Sequence, residues 1–118
     1  MDPKIKREKR IRRHKRVRAK IFGTAKRPRL SVYKSLRHIW VQLIDDTKGH
    51  TLASASTKEI EESKKMTKTE KAFKVGELIA QKAKKLKIKT AVFDRGGFKY
   101  TGRIKAVADG ARKQGLKI

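Results

Sequence analysis

The spacing of apolar residues changes from a period of two to a helical period partway along the chain, and this change restricts the possible folds more than any other feature. Between residues 30 and 57, three short segments alternate apolar with polar residues, a period of two that is typical of strands. The turn-forming residues between these segments indicate an antiparallel meander. From about residue 69 to 86 the apolar residues recur at helical spacing instead, after a Thr-Lys-Thr-Glu capping box at residues 67–70.

The last third of the chain completes an α/β pattern. Residues 90–93 are short and mostly apolar, which predicts an interior parallel strand, and residues 103–114 have helical spacing. The order β-β-β-α-β-α predicts a mixed four-stranded sheet packed with two helices, with the fourth strand beside the first. At 118 residues, this is the size of one domain.

The first quarter of the chain has a different composition. Residues 1–29 hold 14 of the 35 lysines and arginines against only Asp2 and Glu8. Apolar residues are too sparse there to offset the entropy of ordering. We therefore predict a basic N-terminal arm over residues 1–26, poorly ordered in isolation, and a globular domain over residues 27–118. Phosphates could make the arm helical, in which case Gly23 would end the helix.

The net charge of +24 predicts a polyanionic partner that neutralises it. The apolar stretch at residues 38–44 is far too short to span a bilayer, and no signal peptide is evident. Because there are also no cysteines, we expect a cytosolic location and nucleic acid, rather than a membrane, as partner.

Ten basic side chains of the arm are candidates for binding phosphates, because a helix through them would be positive on every side. They are Lys6, Arg7, Lys9, Arg10, Arg12, Arg13, Lys15, Arg16, Arg18 and Lys20. The alternative is a solvated tail that only confers solubility.

A glycine-rich segment, residues 94–102, joins the predicted fourth strand to the last helix, and we call it the Gly-Gly loop. Glycines allow close backbone approach, and rings beside cations suit stacking on unpaired bases. Its candidate RNA-binding residues, with the first residue of the helix, are Arg95, Gly96, Gly97, Phe98, Lys99, Tyr100 and Arg103. Alternatively, the two rings pack back on the core.

The turn between the first two strands, residues 34–40, forms the first hairpin and concentrates a third set of candidates. These are Lys34, Ser35, Arg37, His38 and Trp40, with Arg27 and Arg29 extending the same surface. Trp40 lies on the strand face opposite Val41, where it either stacks on RNA or covers the core beneath the helices.

Enzymatic chemistry is not indicated. His14, His38 and His50 lack metal-ligand spacing, and the adjacent Asp45 and Asp46 suit a turn better than acid–base catalysis. Residues 97–102 imitate the spacing of a nucleotide-binding P-loop, but Arg103 and Ile104 stand where the lysine and the hydroxyl belong. We predict no catalytic residue, no metal, no cofactor and no small-molecule substrate.

Six blocks of the sequence, in order, resemble the bacterial L-eighteen family of large-subunit ribosomal proteins, which bind 5S rRNA. They are RPRLSVY (27–33), HIWVQLIDD (38–46), LASAST (52–57), KVGELIA (74–80), VFDRGGFKY (92–100) and GRIKA (102–106). Thr101 and Trp40 depart from the histidine and tyrosine that members often carry, and residues 58–68 are not a family signature.

The resemblance implies a protein that attaches 5S rRNA to the large-subunit rRNA at the central protuberance, alongside other 5S-binding ribosomal proteins. It implies a middle meander strand antiparallel to its neighbours, and RNA contacts at residues 6–20, 34–40 and 95–103. Two rival functions remain open: a DNA-compacting architectural protein, and an enzyme that binds a nucleotide at the Gly-Gly loop.

Overall fold

The computed structural model describes residues 3–18, 21–60 and 66–118, without the side chains of residues 14 and 16–18. A helix α1 (Pro3–Arg18) precedes strands β1 (Arg29–Lys34), β2 (Ile39–Asp45) and β3 (His50–Ser56), a short 3-10 turn (Thr57–Glu59), helix α2 (Lys68–Lys85), strand β4 (Val92–Asp94) and helix α3 (Gly102–Lys113). The predicted order of the globular domain is confirmed, with boundaries shifted by one or two residues.

The four strands form one mixed sheet in the order β3-β2-β1-β4. β2 is antiparallel to both meander neighbours, as in the register Leu30↔Leu43, whereas β4 is parallel to β1, with Leu30↔Phe93. The predicted placement of the fourth strand beside the first is confirmed. The crossover through α2 allows this parallel return, because a tight hairpin cannot connect parallel strands.

One face of the sheet is buried beneath α2 and α3. Leu30 and Val32 of β1 meet Ile39, Val41 and Leu43 of β2 on this face, and all five are at most 2% exposed. Successive residues of a strand point to opposite faces, so the polar positions between them form the other side. We call that side the open face; it carries Ser31, Tyr33, Trp40 and Gln42.

Two glycines let α2 and α3 cross in close contact. A Cβ atom at Gly76 of α2 would lie 2.0 Å from the carbonyl oxygen of Val107, and one at Gly110 of α3 would lie 2.1 Å from that of Phe73. Side chains at either position would separate the helices. The Thr67 half of the predicted capping box is confirmed, since the Thr67 hydroxyl accepts a hydrogen bond from the Glu70 amide at 3.1 Å.

Both outer strands have their backbone groups partly covered. Beside β4, Thr90 forms a parallel bridge with Lys117, and the Ala91 amide donates to the Lys117 carbonyl at 2.8 Å. Beside β3, the Nζ of Lys82 on α2 donates to the Ser54 carbonyl at 2.7 Å.

Gly23 has a different role from the predicted helix stop. The described part of α1 ends at Arg18, and Gly23 is buried against the end of β2. Its amide donates to the Asp46 carboxylate at 2.8 Å, and its carbonyl accepts from the Asp46 amide at 2.9 Å. A Cβ atom at position 23 would lie 2.4 Å from the backbone nitrogen of Arg29, so close backbone packing explains why this residue is a glycine.

Candidate nucleic-acid interface

Helix α1 presents positive charge over most of its surface. The exposed candidates are Lys6, Arg7, Lys9, Arg12 and Lys15, whereas Arg10 and Arg13 are half-buried. For Arg16 and Arg18 only the helical backbone is described, and Lys20 lies outside the described residues. The helix therefore offers a continuous basic surface that phosphates could surround.

The arm is held against the Gly-Gly loop by two of its arginines. Arg13 donates from Nε to the Gly97 carbonyl at 3.0 Å, and the Arg10 guanidinium lies 5.1 Å from the centre of the Phe98 ring. Such cation–ring contacts contribute roughly 0.5–1 kcal/mol at exposed sites. No pattern in the sequence predicts this docking, which brings the arm and the loop onto one surface.

The Gly-Gly loop bends back on itself through positive φ angles at Gly96 (63°) and Gly97 (79°). Several of its amides are already bonded within the domain: Gly96 donates to the Asp94 carboxylate at 2.9 Å and Phe98 to the Arg95 carbonyl at 3.0 Å. Thr101 likewise donates to the Lys99 carbonyl. Amides used in this way do not cradle phosphates, which argues against nucleotide hydrolysis at this loop.

The two rings of the loop lie on different sides of the domain. Phe98 is near Tyr33, with ring centres 6.2 Å apart, and the Lys34 ammonium lies 5.5 Å from its centre. Tyr100 instead packs edge-on against Phe93, and its hydroxyl accepts from Arg112 at 3.0 Å. Both rings are partly buried against the core, so the alternative in which the two rings pack back on the core describes Phe98 as well as Tyr100.

An aromatic pair occupies the open face. The rings of Tyr33 and Trp40 lie 5.8 Å apart on paired strand positions, and the Lys58 ammonium is 5.8 Å from the Trp40 ring. The alternative that Trp40 covers the core beneath the helices is wrong, because those helices lie on the other face. Tyr33, which is 53% exposed, was not among the predicted site residues. The alternation along β1 could have identified it, because Leu30 and Val32 point to the buried face and Tyr33 therefore points to the open face.

Arg29 does not extend the basic surface as predicted. Its guanidinium donates to Asp46 at 3.0 and 3.1 Å and to Asp94 at 2.8 Å, and its side chain is 12% exposed. Burial alone would lower the pKa of Arg29, but the hydrogen bonds and charges of the two aspartates outweigh burial and raise it. Arg27, two residues earlier, is exposed.

A basic cleft of about 320 Å³ opens where the first hairpin meets the N-termini of α2 and α3. Its walls include Arg37, His38, Thr57, Lys68, Lys71 and Arg103. Ser35 closes the adjacent turn, its amide donating to the His38 carbonyl at 2.9 Å. The lysines at positions 68 and 71 were given no role by the sequence, because they are distant from the hairpin along the chain.

Lys34 adds to the positive charge beside this cleft. Burial lowers the pKa of Lys34, and the nearby positive charge of Arg103 lowers it further. This repulsion shows that cations are crowded at this end of the sheet. Of the remaining candidates, Lys99 is exposed and Arg95 half-buried.

Other kinds of site are not found in the described part of the chain. Within it, no group of three or more His, Asp or Glu residues could hold a metal ion. Among the described helices, none is long and apolar enough to cross a membrane. A docked basic helix, an aromatic pair and a cation-lined cleft on one small α/β domain define a nucleic-acid-binding protein.

Comparison with known proteins gives the family. Residues 4–118 match the model of ribosomal L18 of archaea, bacteria, mitochondria and chloroplasts. The chain is 57% identical over 116 residues to the large ribosomal subunit protein uL18 of Thermotoga petrophila, covering 96% of this chain and 95% of that one. It is 56% identical to uL18 of Aquifex aeolicus (98% and 97% covered) and 60% identical to that of Dictyoglomus thermophilum (90% and 89%).

The chain therefore belongs to the ribosomal L18 family. It is an rRNA-binding, structural protein of the large ribosomal subunit rather than an enzyme, and the suspected family resemblance is confirmed. The predicted location agrees with relatives that are large-subunit proteins of bacteria.

Proposed function

We propose that this protein binds 5S rRNA and helps attach it to the large-subunit rRNA at the central protuberance, alongside other 5S-binding ribosomal proteins. The observation that carries the proposal is the docking of α1 on the Gly-Gly loop through Arg13 and Gly97. It places the basic arm, the loop and the open face on one continuous side, so a folded RNA could contact all three together.

The expected mechanism is electrostatic docking followed by recognition of RNA shape. Arm cations neutralise phosphates and release counterions, so the affinity falls with salt by a slope of about 0.7–0.9 per phosphate contacted. Unpaired bases then stack on the exposed ring of Tyr33 beside Trp40. Phe98 packs beside Tyr33 and supports that ring. It does not stack on a base itself, because the cations of Arg10 and Lys34 flank its ring.

The test compares two full-length variants that lose the same charge. In the first, Arg7, Arg10, Arg12 and Arg13 of the arm are replaced by glutamine. In the second, four exposed lysines at the other end of the domain are replaced: Lys84, Lys85, Lys89 and Lys117. We expect the arm variant to lose most of its affinity for labelled 5S rRNA and to show a smaller salt slope. The control variant is expected to lose much less of either.

Competition with unlabelled duplex DNA distinguishes the rival architectural function. Equal competition by bulk DNA and 5S rRNA would contradict the proposal and favour DNA compaction. Deleting residues 1–20 provides a second check, because the truncated domain is expected to stay folded by circular dichroism while binding weakly. A truncated protein that binds 5S rRNA as tightly as the full chain would also contradict it.

A further inference from the structure

We propose that the basic cleft holds a backbone phosphate of RNA, gripped between the first hairpin and the first turns of α2 and α3. This inference rests on the proposed RNA-binding function and adds a contact separate from the arm. No described residue of α1 lines the cleft, so the arm and the cleft can engage different phosphates.

Cations from three separate elements converge on the cleft. Arg37 comes from the hairpin turn, Lys68 and Lys71 from the start of α2, and Arg103 from the start of α3. None of the described residues that line it is acidic. The nearby carboxylate of Glu59 does not line the cleft and instead binds Lys82 at 3.0 Å. Four converging cations favour an anion.

Three polar side chains of the wall, those of His38, Thr57 and Lys68, are held in place by hydrogen bonds. The Nδ1 atom of His38 lies 2.9 Å from the Thr57 hydroxyl, which also accepts from the Ile39 amide at 3.3 Å. Lys68 donates from Nζ to the Leu36 carbonyl at 3.0 Å and joins α2 to the hairpin turn. A preorganised wall loses little freedom on binding, which favours affinity.

The chemistry of the lining favours a phosphate over a base or a whole nucleotide. His38 supplies the one ring among the described lining residues, and that ring is held edge-on to Trp40. The positive ends of the α2 and α3 dipoles, near Lys68 and Arg103, add to the field of the side chains. A base would find no broad ring to stack on there, whereas a phosphodiester would meet several donors.

The decisive experiment uses the full chain with two cleft cations removed. The cleft variant combines Lys71→Gln with Arg103→Gln. The control variant combines Lys89→Gln with Lys117→Gln, two exposed lysines beyond the C-terminal end of α2. That end of the helix is roughly 26 Å from its start, where the cleft lies. We expect the cleft variant to bind 5S rRNA at least about tenfold more weakly. Its salt slope should fall by about 0.7–0.9 for one lost phosphate contact. The control should stay within about twofold of the original affinity.

Equal losses in the cleft and control variants would overturn the proposal, because net charge alone would then explain them. Unchanged thermal unfolding of the cleft variant establishes that it folds. If it unfolds, Arg37→Gln, which removes an exposed side chain from a turn, is used in its place with the same expectation.

Nuclear magnetic resonance with inorganic phosphate distinguishes the two sources of this ligand. We expect the His38 ring and Thr57 signals to shift with phosphate in the original protein and not in the cleft variant. If they shift but the variant keeps full RNA affinity, the cleft binds free phosphate only and the RNA proposal is wrong.

The outcomes for the arm and for the cleft can be told apart. If arm variants bind 5S rRNA normally while cleft variants do not, the proposed role of the arm is wrong and the phosphate site in the cleft is supported. If the original protein fails to bind 5S rRNA, the proposed function is wrong. If the His38 and Thr57 signals do not shift with phosphate, the phosphate site in the cleft is wrong, whatever the RNA affinity.

Discussion

The Nη1 atom of Arg29 lies 2.8 Å from the Oδ2 atom of Asp94, a side chain with no solvent exposure. The other carboxylate oxygen of Asp94 accepts a hydrogen bond from the Gly96 amide, so one buried acid joins β1 to the start of the Gly-Gly loop. The Arg29 side chain is therefore placed to hold the Gly-Gly loop in position, and its charge is neutralised by aspartates rather than presented to solvent.

Replacing Arg29 with methionine tests this role. The change removes the Arg29 cation from the buried Asp94, and breaking a buried pair in this way costs about 3–5 kcal/mol of unfolding free energy. Urea unfolding followed by circular dichroism measures the loss. The matched control, Arg27→Met, alters an exposed side chain and is expected to change stability by about 0.5 kcal/mol or less. Similar stability of the two variants would show that Arg29 has no structural role.

Gly76→Ala tests the crossing of α2 and α3. In an exposed helix interior, alanine stabilises by roughly 0.5–1 kcal/mol relative to glycine. Here the sign reverses, because the new Cβ atom would lie 2.0 Å from the Val107 carbonyl oxygen and force the helices apart. We expect a loss of about 3 kcal/mol in chemical denaturation, near the upper end of overpacking effects. Gln81→Ala, on an exposed position of the same helix, serves as the control, and a stabilised Gly76 variant would refute the close contact.

The Glu59–Lys82 pair gives a pH-dependent prediction. The hydrogen bond from Lys82, the one from the Ser56 amide and the lysine's charge lower the pKa of Glu59 below its ordinary value of 4.5. A lowered carboxyl pKa stabilises the fold above the unfolded value, and the stabilisation disappears as pH falls through the folded value.

We therefore expect Glu59→Gln to cost up to about 1 kcal/mol near neutral pH, since the pair is partly exposed. The difference from the original protein should narrow as pH falls below about 4.5 and vanish once Glu59 is protonated. Thermal unfolding at a series of pH values measures this. Glu8→Gln removes the same charge from an exposed position on α1 and controls for net charge. A Glu59 effect that does not depend on pH would rule out the ion pair as its cause.

Tyr33→Ala tests the open face as a stacking surface. Loss of one stacked base costs about 1–3 kcal/mol of binding free energy, so we expect weaker binding of 5S rRNA with an unchanged salt slope. Tyr100→Phe is the control, because that ring packs on Phe93 on the other side of the domain. Filter binding measures both affinities, and Trp40 fluorescence reports whether RNA reaches this face. Normal affinity of the Tyr33 variant would remove stacking from the mechanism.

The elements of the fold could be predicted because each has a local signal. The alternation around Leu30 and Val41 gave the strands, and Thr67 gave the start of α2. The sheet order followed as well, since a helix between β3 and β4 permits a parallel return. Gly76 and Gly110 carried no such signal, because nothing in either helix alone shows that another helix will touch it.

The site was less predictable because its contacts join distant parts of the chain. Arg27 and Arg29 are both basic and close in sequence, yet only the fold places Asp46 and Asp94 around the second. The same holds for Lys68 and Lys71, which meet Arg37 and Arg103 only after α2 and α3 are packed. A single sequence reveals how much charge is present but not which charges share a cleft.

The covered borders of the sheet have a consequence for the molecule before it joins a ribosome. Unpaired strand borders invite a second chain to add on, and the residues around Lys117 and the Lys82 ammonium occupy part of each border. Before it binds RNA, the protein is therefore less prone to self-association through strand pairing between copies.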